Sequence, residues 1–167
     1  GDTSATGVAF TRDPATGENL TYTWDSAPGC DYGIGRLCRI ADDGGSTAFR
    51  YDARGNPVAE TRTEGGIALP AVQYTWDGAD RIGAEITATG KLLTTQRDTD
   101  GRIQQLSTAV GTNPQINLVA NIQTDAAGNT KAQTFGNGVS EARSYAEDGL
   151  AVNAAVTEPT GGGGSEI

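Results

Sequence analysis

Tyr51-Asp52-Ala53-Arg54-Gly55-Asn56-Pro57-Val58-Ala59-Glu60-Thr61-Arg62-Thr63 holds both the corner and one arm of a β-hairpin. An aspartate opening a type I turn bonds back to the backbone with its side chain, and a glycine three residues later takes positive φ without steric cost. Phe49-Arg50-Tyr51 enters this corner and Val58 to Thr63 leaves it, apolar and polar residues alternating as a half-buried strand requires.

The same chemistry recurs along the chain. Copies read Trp76-Asp77-Gly78-Ala79-Asp80-Arg81, Arg97-Asp98-Thr99-Asp100-Gly101-Arg102 and Thr124-Asp125-Ala126-Ala127-Gly128-Asn129. A worn copy, Tyr145-Ala146-Glu147-Asp148-Gly149-Leu150, has lost its aspartate, and Asp13-Pro14-Ala15-Thr16-Gly17 is a version with one extra residue. The aspartates at 52, 77, 98 and 125 stand 25, 21 and 27 residues apart, loose in length but constant in chemistry. Reverse turns are therefore predicted at Asp52 and Gly55, at Asp77, at Asp98 and Gly101, at Asp125 and Gly128, and at Gly149. Returns such as Glu64-Gly65-Gly66 and Gly111-Thr112-Asn113-Pro114 are expected to close the opposite edge. Leu118-Val119-Ala120-Asn121-Ile122 is read as one more alternating strand, and no helical stripe is evident. Each period then holds two strands of about seven residues, spanning about 23 Å. The fold class predicted is all-β, antiparallel hairpin repeats in one curved or spiralling meander of about 12 to 14 strands. The strip is expected to occupy residues 1–160, with 161–167 a Gly-rich tail or linker.

Composition fits a sheet that buries little. Leu, Ile, Val and Phe number 28 of 167, while 22 threonines favour strands and 24 glycines punctuate them. The net charge of −9 argues against nucleic acid, which needs clustered Lys and Arg. No apolar run is long enough for a helical membrane span. Acidic residues among the first twenty argue against a signal peptide, so mature sequence or an excised piece is expected. With no histidine, Ser-His-Asp triads, Cys-His dyads and imidazole metal sites are excluded.

The recurring Tyr-Asp-x-x-Gly-Asn/Arg pattern resembles the YD repeat of the Rhs family, found also in insecticidal toxin-complex shells and teneurins. The resemblance spans residues 8 to 160 and is most specific over Tyr51 to Thr63. It implies a long β-strip that closes into a hollow shell around a toxic polypeptide, of which this chain would be a wall segment or a small derivative.

Singular features read structurally. Cys30 and Cys38 flank a Gly-containing turn that can bring them opposite each other, so a disulfide and an oxidising compartment are expected; the alternative is a pair of buried free thiols. Asp98-Thr99-Asp100-Gly101 resembles the start of a calcium loop, but the later ligands such a loop needs do not follow. Trp24, Tyr51, Tyr74 and Trp76 sit at or near turn entrances, where they form either a cross-strand packing row or a row that stacks on sugars.

A structural β-strip is the expected function, as shell wall around a cargo or as the body of an extracellular filament. The alternative is a cell-surface carbohydrate-binding or adhesion module. No enzymatic role, cofactor or metal is expected. Expected partners are other copies through open strand edges, head to tail, further repeats of the same protein, an encapsulated toxin, or a surface glycan. An extracellular or cell-surface location follows.

Overall fold

The computed structural model describes residues 8–11 and 19–159. The copy expected at Asp13–Gly17 and the Gly-rich tail lie outside them. The described residues hold fourteen strands and no helix, the all-β meander that the repeat pattern predicts. The chain divides into two compact units, Gly1–Lys91 and Leu92–Ile167.

The first unit contains β1 (Val8–Thr11), β2 (Asn19–Trp24), β3 (Leu37–Ala41), β4 (Gly45–Tyr51), β5 (Pro57–Glu64), β6 (Ile67–Ala68), β7 (Val72–Trp76) and β8 (Ile82–Ile86). Each pairs antiparallel with its neighbour in chain order, except that β5 is shared, with Thr63 opposite Ala68 of β6 and Ala59 opposite Gln73 of β7. Sharing follows from Glu64-Gly65-Gly66-Ile67, where two glycines at φ +54° and +81° make the tight mirror-image turn that suits a two-residue hairpin.

The second unit continues the habit with β10 (Ile103–Val110), β11 (Ile116–Thr124), β12 (Thr130–Phe135), β13 (Ser140–Tyr145) and β14 (Ala151–Thr157), after β9 (Lys91–Arg97). The alternation expected through Leu118–Ile122 is broken. Asn121 has φ +53°, and the register against β12 shifts between Ala120 and Gln123. A residue in the left-handed region cannot continue the pleat, so this is a β-bulge in mid-strand.

Little is buried. Among the described residues the buried apolar side chains are Cys38, Ala59 and Ala120, joined by Ser107 and Thr108. The two buried hydroxyls are satisfied: Thr108 Oγ1 donates to the Leu92 carbonyl (2.9 Å) and Ser107 Oγ accepts from Gln115 Nε2 (2.8 Å). Without a large apolar core, cohesion rests on ladder hydrogen bonds, each adding about 1 kcal/mol net, and on the corners that set their register.

Candidate functional site

The corners share one geometry. The Gly55 amide donates to the Asp52 carbonyl (3.0 Å), while the Asp52 amide donates to the Asn56 carbonyl (2.9 Å). With Gly55 at φ +96°, this is a type I turn closed by a left-handed residue that forms a bulge. The same pair of bonds recurs around Asp77, Asp98, Asp125 and Ala146, with Gly101, Gly128 and Gly149 at φ +83° to +90°. The Asp77 copy departs from the glycine rule. Its glycine, Gly78, falls too early, and Asp80 takes the left-handed place at φ +56°. Aspartate is one of the few L-residues that visit this region readily.

The motif's last position gains a reason. Asp52 Oδ1 accepts from the amides of Arg54 and Asn56 (both 2.9 Å), and its Oδ2 from Asn56 Nδ2 (3.2 Å). Asp77 holds the Arg81 amide (3.1 Å) and the Arg81 Nε (2.8 Å) in the same manner, and Asp125 holds the amide and side chain of Asn129 (2.9 and 3.0 Å). At these three corners the Asn or Arg returns its side chain to the aspartate that opened the turn, whereas Arg102 keeps only its amide on Asp98 (2.8 Å) and turns its guanidinium to Asp100 (3.2 Å). The bonds leave their mark on acidity. The Arg81 amide first, then Ala79 and the Arg81 side chain, hold the Asp77 carboxyl below the usual range. For Asp125 the Asn129 side chain leads. For Asp52 desolvation pushes upward, and the donors of Asn56, Arg54 and Gly55 together outweigh it.

The aromatic residue just before a corner ties one hairpin to the one before it. Tyr51 Oη donates to the carbonyl of Leu37 (2.6 Å), Trp76 Nε1 to that of Pro57 (2.7 Å), and Tyr145 Oη to that of Thr130 (2.8 Å). Each acceptor is the first residue of a strand leaving an earlier corner: Leu37 opens β3, Pro57 opens β5 and Thr130 opens β12. Corners also touch directly, Asn56 Nδ2 reaching Asp80 Oδ1 (2.7 Å) and Arg54 pairing with Asp80 (3.0 Å). Where the aromatic is missing, the tie is not made in this form. Arg97, before Asp98, folds back on its own corner to the Gly101 carbonyl (3.3 Å).

Tyr51, Tyr74 and Trp76 line one groove of about 370 Å³ with Phe49, Pro57, Glu60 and Ile82. Burial, then the nearby Glu85 and Glu60 carboxylates, push the Tyr74 phenol above its ordinary value. Trp24 does not line the groove and is 43 % exposed at the end of β2. Trp76 Nε1 and Tyr51 Oη are already bonded to backbone carbonyls, which leaves less hydrogen-bonding capacity for a sugar and does not favour the carbohydrate reading.

Cys30 and Cys38 are joined in a disulfide. Residues 25–36, which the cysteines brace, replace a short corner between β2 and β3. Two further corners of the shared type, at Thr87–Lys91 and Phe135–Val139, escaped sequence reasoning because Thr87 and Phe135 stand where aspartate was the signal. Gly90 and Gly138, at φ +77° and +86°, were the cue that could have found them. Asp52, Asp77 and Asp125 are held ionised, the opposite of the upward shift a general acid needs.

Residues 32–67 match the family model described as RHS Repeat. No curated protein matches the chain. Among solved structures, it is similar to the TcdB2-TccC3 complex (TM-score 0.74, 15% identity, covering 92% of this chain and 9% of that one). It is also similar to the Photorhabdus luminescens Tc holotoxin pore (TM-score 0.73, 15% identity, 92% and 8%) and to a TcdB2-TccC3-Cdc42 crystal structure (TM-score 0.72, 15% identity, 90% and 8%). The chain thus spans less than a tenth of the length of these structures. Residues 32–67 thus match the RHS Repeat model, and the chain shares the antiparallel β-strand fold of these structures.

Proposed function

We propose that this strip is a wall segment of a hollow shell around a polypeptide cargo, and that its open strand edge takes a strand from further repeats or from a second copy. The observation that carries the reading is the tie from each pre-corner aromatic to the preceding hairpin. Tyr51, Trp76 and Tyr145 spend their polar atoms holding neighbours together, which is architecture rather than chemistry. The edge supports it. β14 reads Ala-Val-Asn-Ala-Ala-Val-Thr, with no charge and no proline, and Val152 and Val156 are 64 % and 67 % exposed. Isolated edges are normally guarded by just such residues, and an unguarded one favours strand addition. Copies adding head to tail would build a filament, since such a contact need not close. The reading carries with it a strip over residues 1–160, a linker at 161–167, and a place outside the cell, where a disulfide persists.

The test is sedimentation velocity with negative-stain imaging across a concentration series, on the wild type and on Ala154→Lys. Growth of the wild type into curved or filamentous species, suppressed by the lysine, is expected. A wild type that stays monomeric at the highest concentration overturns pairing between copies.

A further inference from the structure

The loop of residues 25–36 lies on the corner of the following hairpin. The Asp31 carbonyl accepts from the Tyr51 amide (3.3 Å), and the Asp31 carboxylate takes Arg50 Nη2 and Nε (2.7 and 3.1 Å). The Arg36 guanidinium stands 5.7 Å from the centre of the Tyr51 ring and against Gly55. That side chain is itself held by the loop, donating to the carbonyls of Tyr32 (2.9 Å) and Ile34 (3.2 Å). The disulfide fixes this arrangement. Gly33 is pressed against it so closely that a Cβ there would lie 2.5 Å from both sulfurs, and Tyr32 beside it sits at φ +52°. Such a backbone persists only where its surroundings enforce it.

We propose that the Cys30–Cys38 disulfide is a redox-released clamp on the Tyr51–Gly55 corner. Cys38 is fully buried whereas Cys30 is only half-buried, so an incoming dithiol reaches Cys30 first. A thiolate of the dithiol attacks Cys30 Sγ, forming a mixed disulfide and expelling the Cys38 thiolate, which takes up a proton. The second thiolate of the dithiol then closes on its own mixed-disulfide sulfur and leaves as a cyclic disulfide, releasing Cys30 as a thiol. Two electrons pass from the dithiol to the protein. With the ring open, Tyr32 relaxes, and Asp31 and Arg36 leave the corner they cover. The pairing of β4 with β5 does not depend on the loop and stays intact. The clamp goes beyond the wall reading and is independent of self-association.

Amide hydrogen exchange on the full chain tests it, with and without dithiothreitol and in the Cys30→Ala/Cys38→Ala variant. The Tyr51 and Gly55 amides are expected to exchange at least about tenfold faster in both the reduced protein and the variant, with the Gly128 amide unchanged. Unchanged exchange at Tyr51 and Gly55 overturns the clamp. Equal acceleration at Gly128 also overturns it, because the bond would then brace the whole fold. Resistance of the bond to dithiothreitol under native conditions does the same. Asp31→Ala, which keeps the bond but loses the carboxylate, separates contact from cross-link: faster exchange at Tyr51 alone supports the clamp, and exchange as in the wild type counts against it.

Discussion

The phenol of Tyr51 donates to the backbone carbonyl of Leu37 across 2.6 Å, joining the end of β4 to the start of β3. β3 and β4 also pair along their length, with Arg39 opposite Ala48. The side-chain bond is therefore an extra rung beyond the ladder, at the point where the Tyr51–Pro57 pairing is bulged and backbone bonds thin out. Tyr51→Phe keeps the ring and deletes the donor. It is expected to lower unfolding stability by about 1 kcal/mol, with Tyr145→Phe costing about as much through Thr130. Urea midpoints at constant m-value check this. No shift in either variant would mean that water replaces the phenol at no cost.

The left-handed corner position can be weighed at two sites that differ in one respect. Gly128, at φ +90°, has nothing within reach of an added Cβ, whereas one at Gly55, φ +96°, would run into the Arg36 guanidinium. Gly128→Ala should cost about 1–2 kcal/mol from backbone strain alone. Gly55→Ala should cost more, because Arg36 must also give up its place over Tyr51. Equal costs would show that Arg36 moves aside freely.

Asp80 is the natural experiment in the same position, since it carries a side chain where the other corners carry glycine. Asp80→Gly removes strain of about 1 kcal/mol but also removes the acceptor of Asn56 Nδ2 and the partner of Arg54. That ion pair is exposed and contributes little. A small net gain in stability is the expected outcome, read from the thermal midpoint. A clear loss would assign the corner-to-corner contact more weight than surface pairs usually have.

Legibility followed the chemistry of single residues. Asp52, Asp98 and Asp125 announced their corners because aspartate both opens the turn and bonds within it, so one letter stands for a whole geometry. Thr87 opens the same geometry with its hydroxyl accepting from the Lys91 amide (3.1 Å), and Phe135 opens it through its backbone alone, so neither shows the aspartate that served as the signal. The pairing of Cys30 with Cys38 was legible from their flanking of a Gly-rich turn. What the loop between them rests on was not, because Asp31 meets Arg50 and Arg36 meets Tyr51 across strands. Tyr51 and Trp76 were visible as aromatics at turn entrances, while Trp24 stands outside the groove they share with Tyr74. The purpose of Tyr51 and Trp76 was not visible, since the acceptors are main-chain carbonyls that any residue supplies.

Gly33 has a role that no turn explains. A methyl group there would meet both sulfurs of the disulfide and the Asp25 carbonyl, all within 2.9 Å. Gly33→Ala is therefore expected to hinder closure of the ring, leaving a fraction of molecules with two titratable thiols after oxidative refolding. Free-thiol titration against the wild type measures it. A fully oxidised Gly33→Ala protein would show that the loop can back away without losing the bond.

Acid should weaken the corners before the strands. The pKa values of Asp52, Asp77 and Asp125 are held below the usual carboxylate range by donors that exist only in the folded chain, and that of Glu141 by Gln133 first and Arg143 next. A carboxyl whose folded value is depressed binds its proton more readily when unfolded. Its stabilisation is thus complete above the unfolded value, about 4, and drains away as pH falls through the lower folded value. Urea midpoints should stay flat from about pH 7 to about pH 5 and decline below that. Asp125→Asn keeps an oxygen for the Asn129 amide but cannot take up the proton, so its midpoint should be lower at neutral pH and fall less steeply in acid. A decline as steep as the wild type's would place the acid-sensitive groups elsewhere than at this corner.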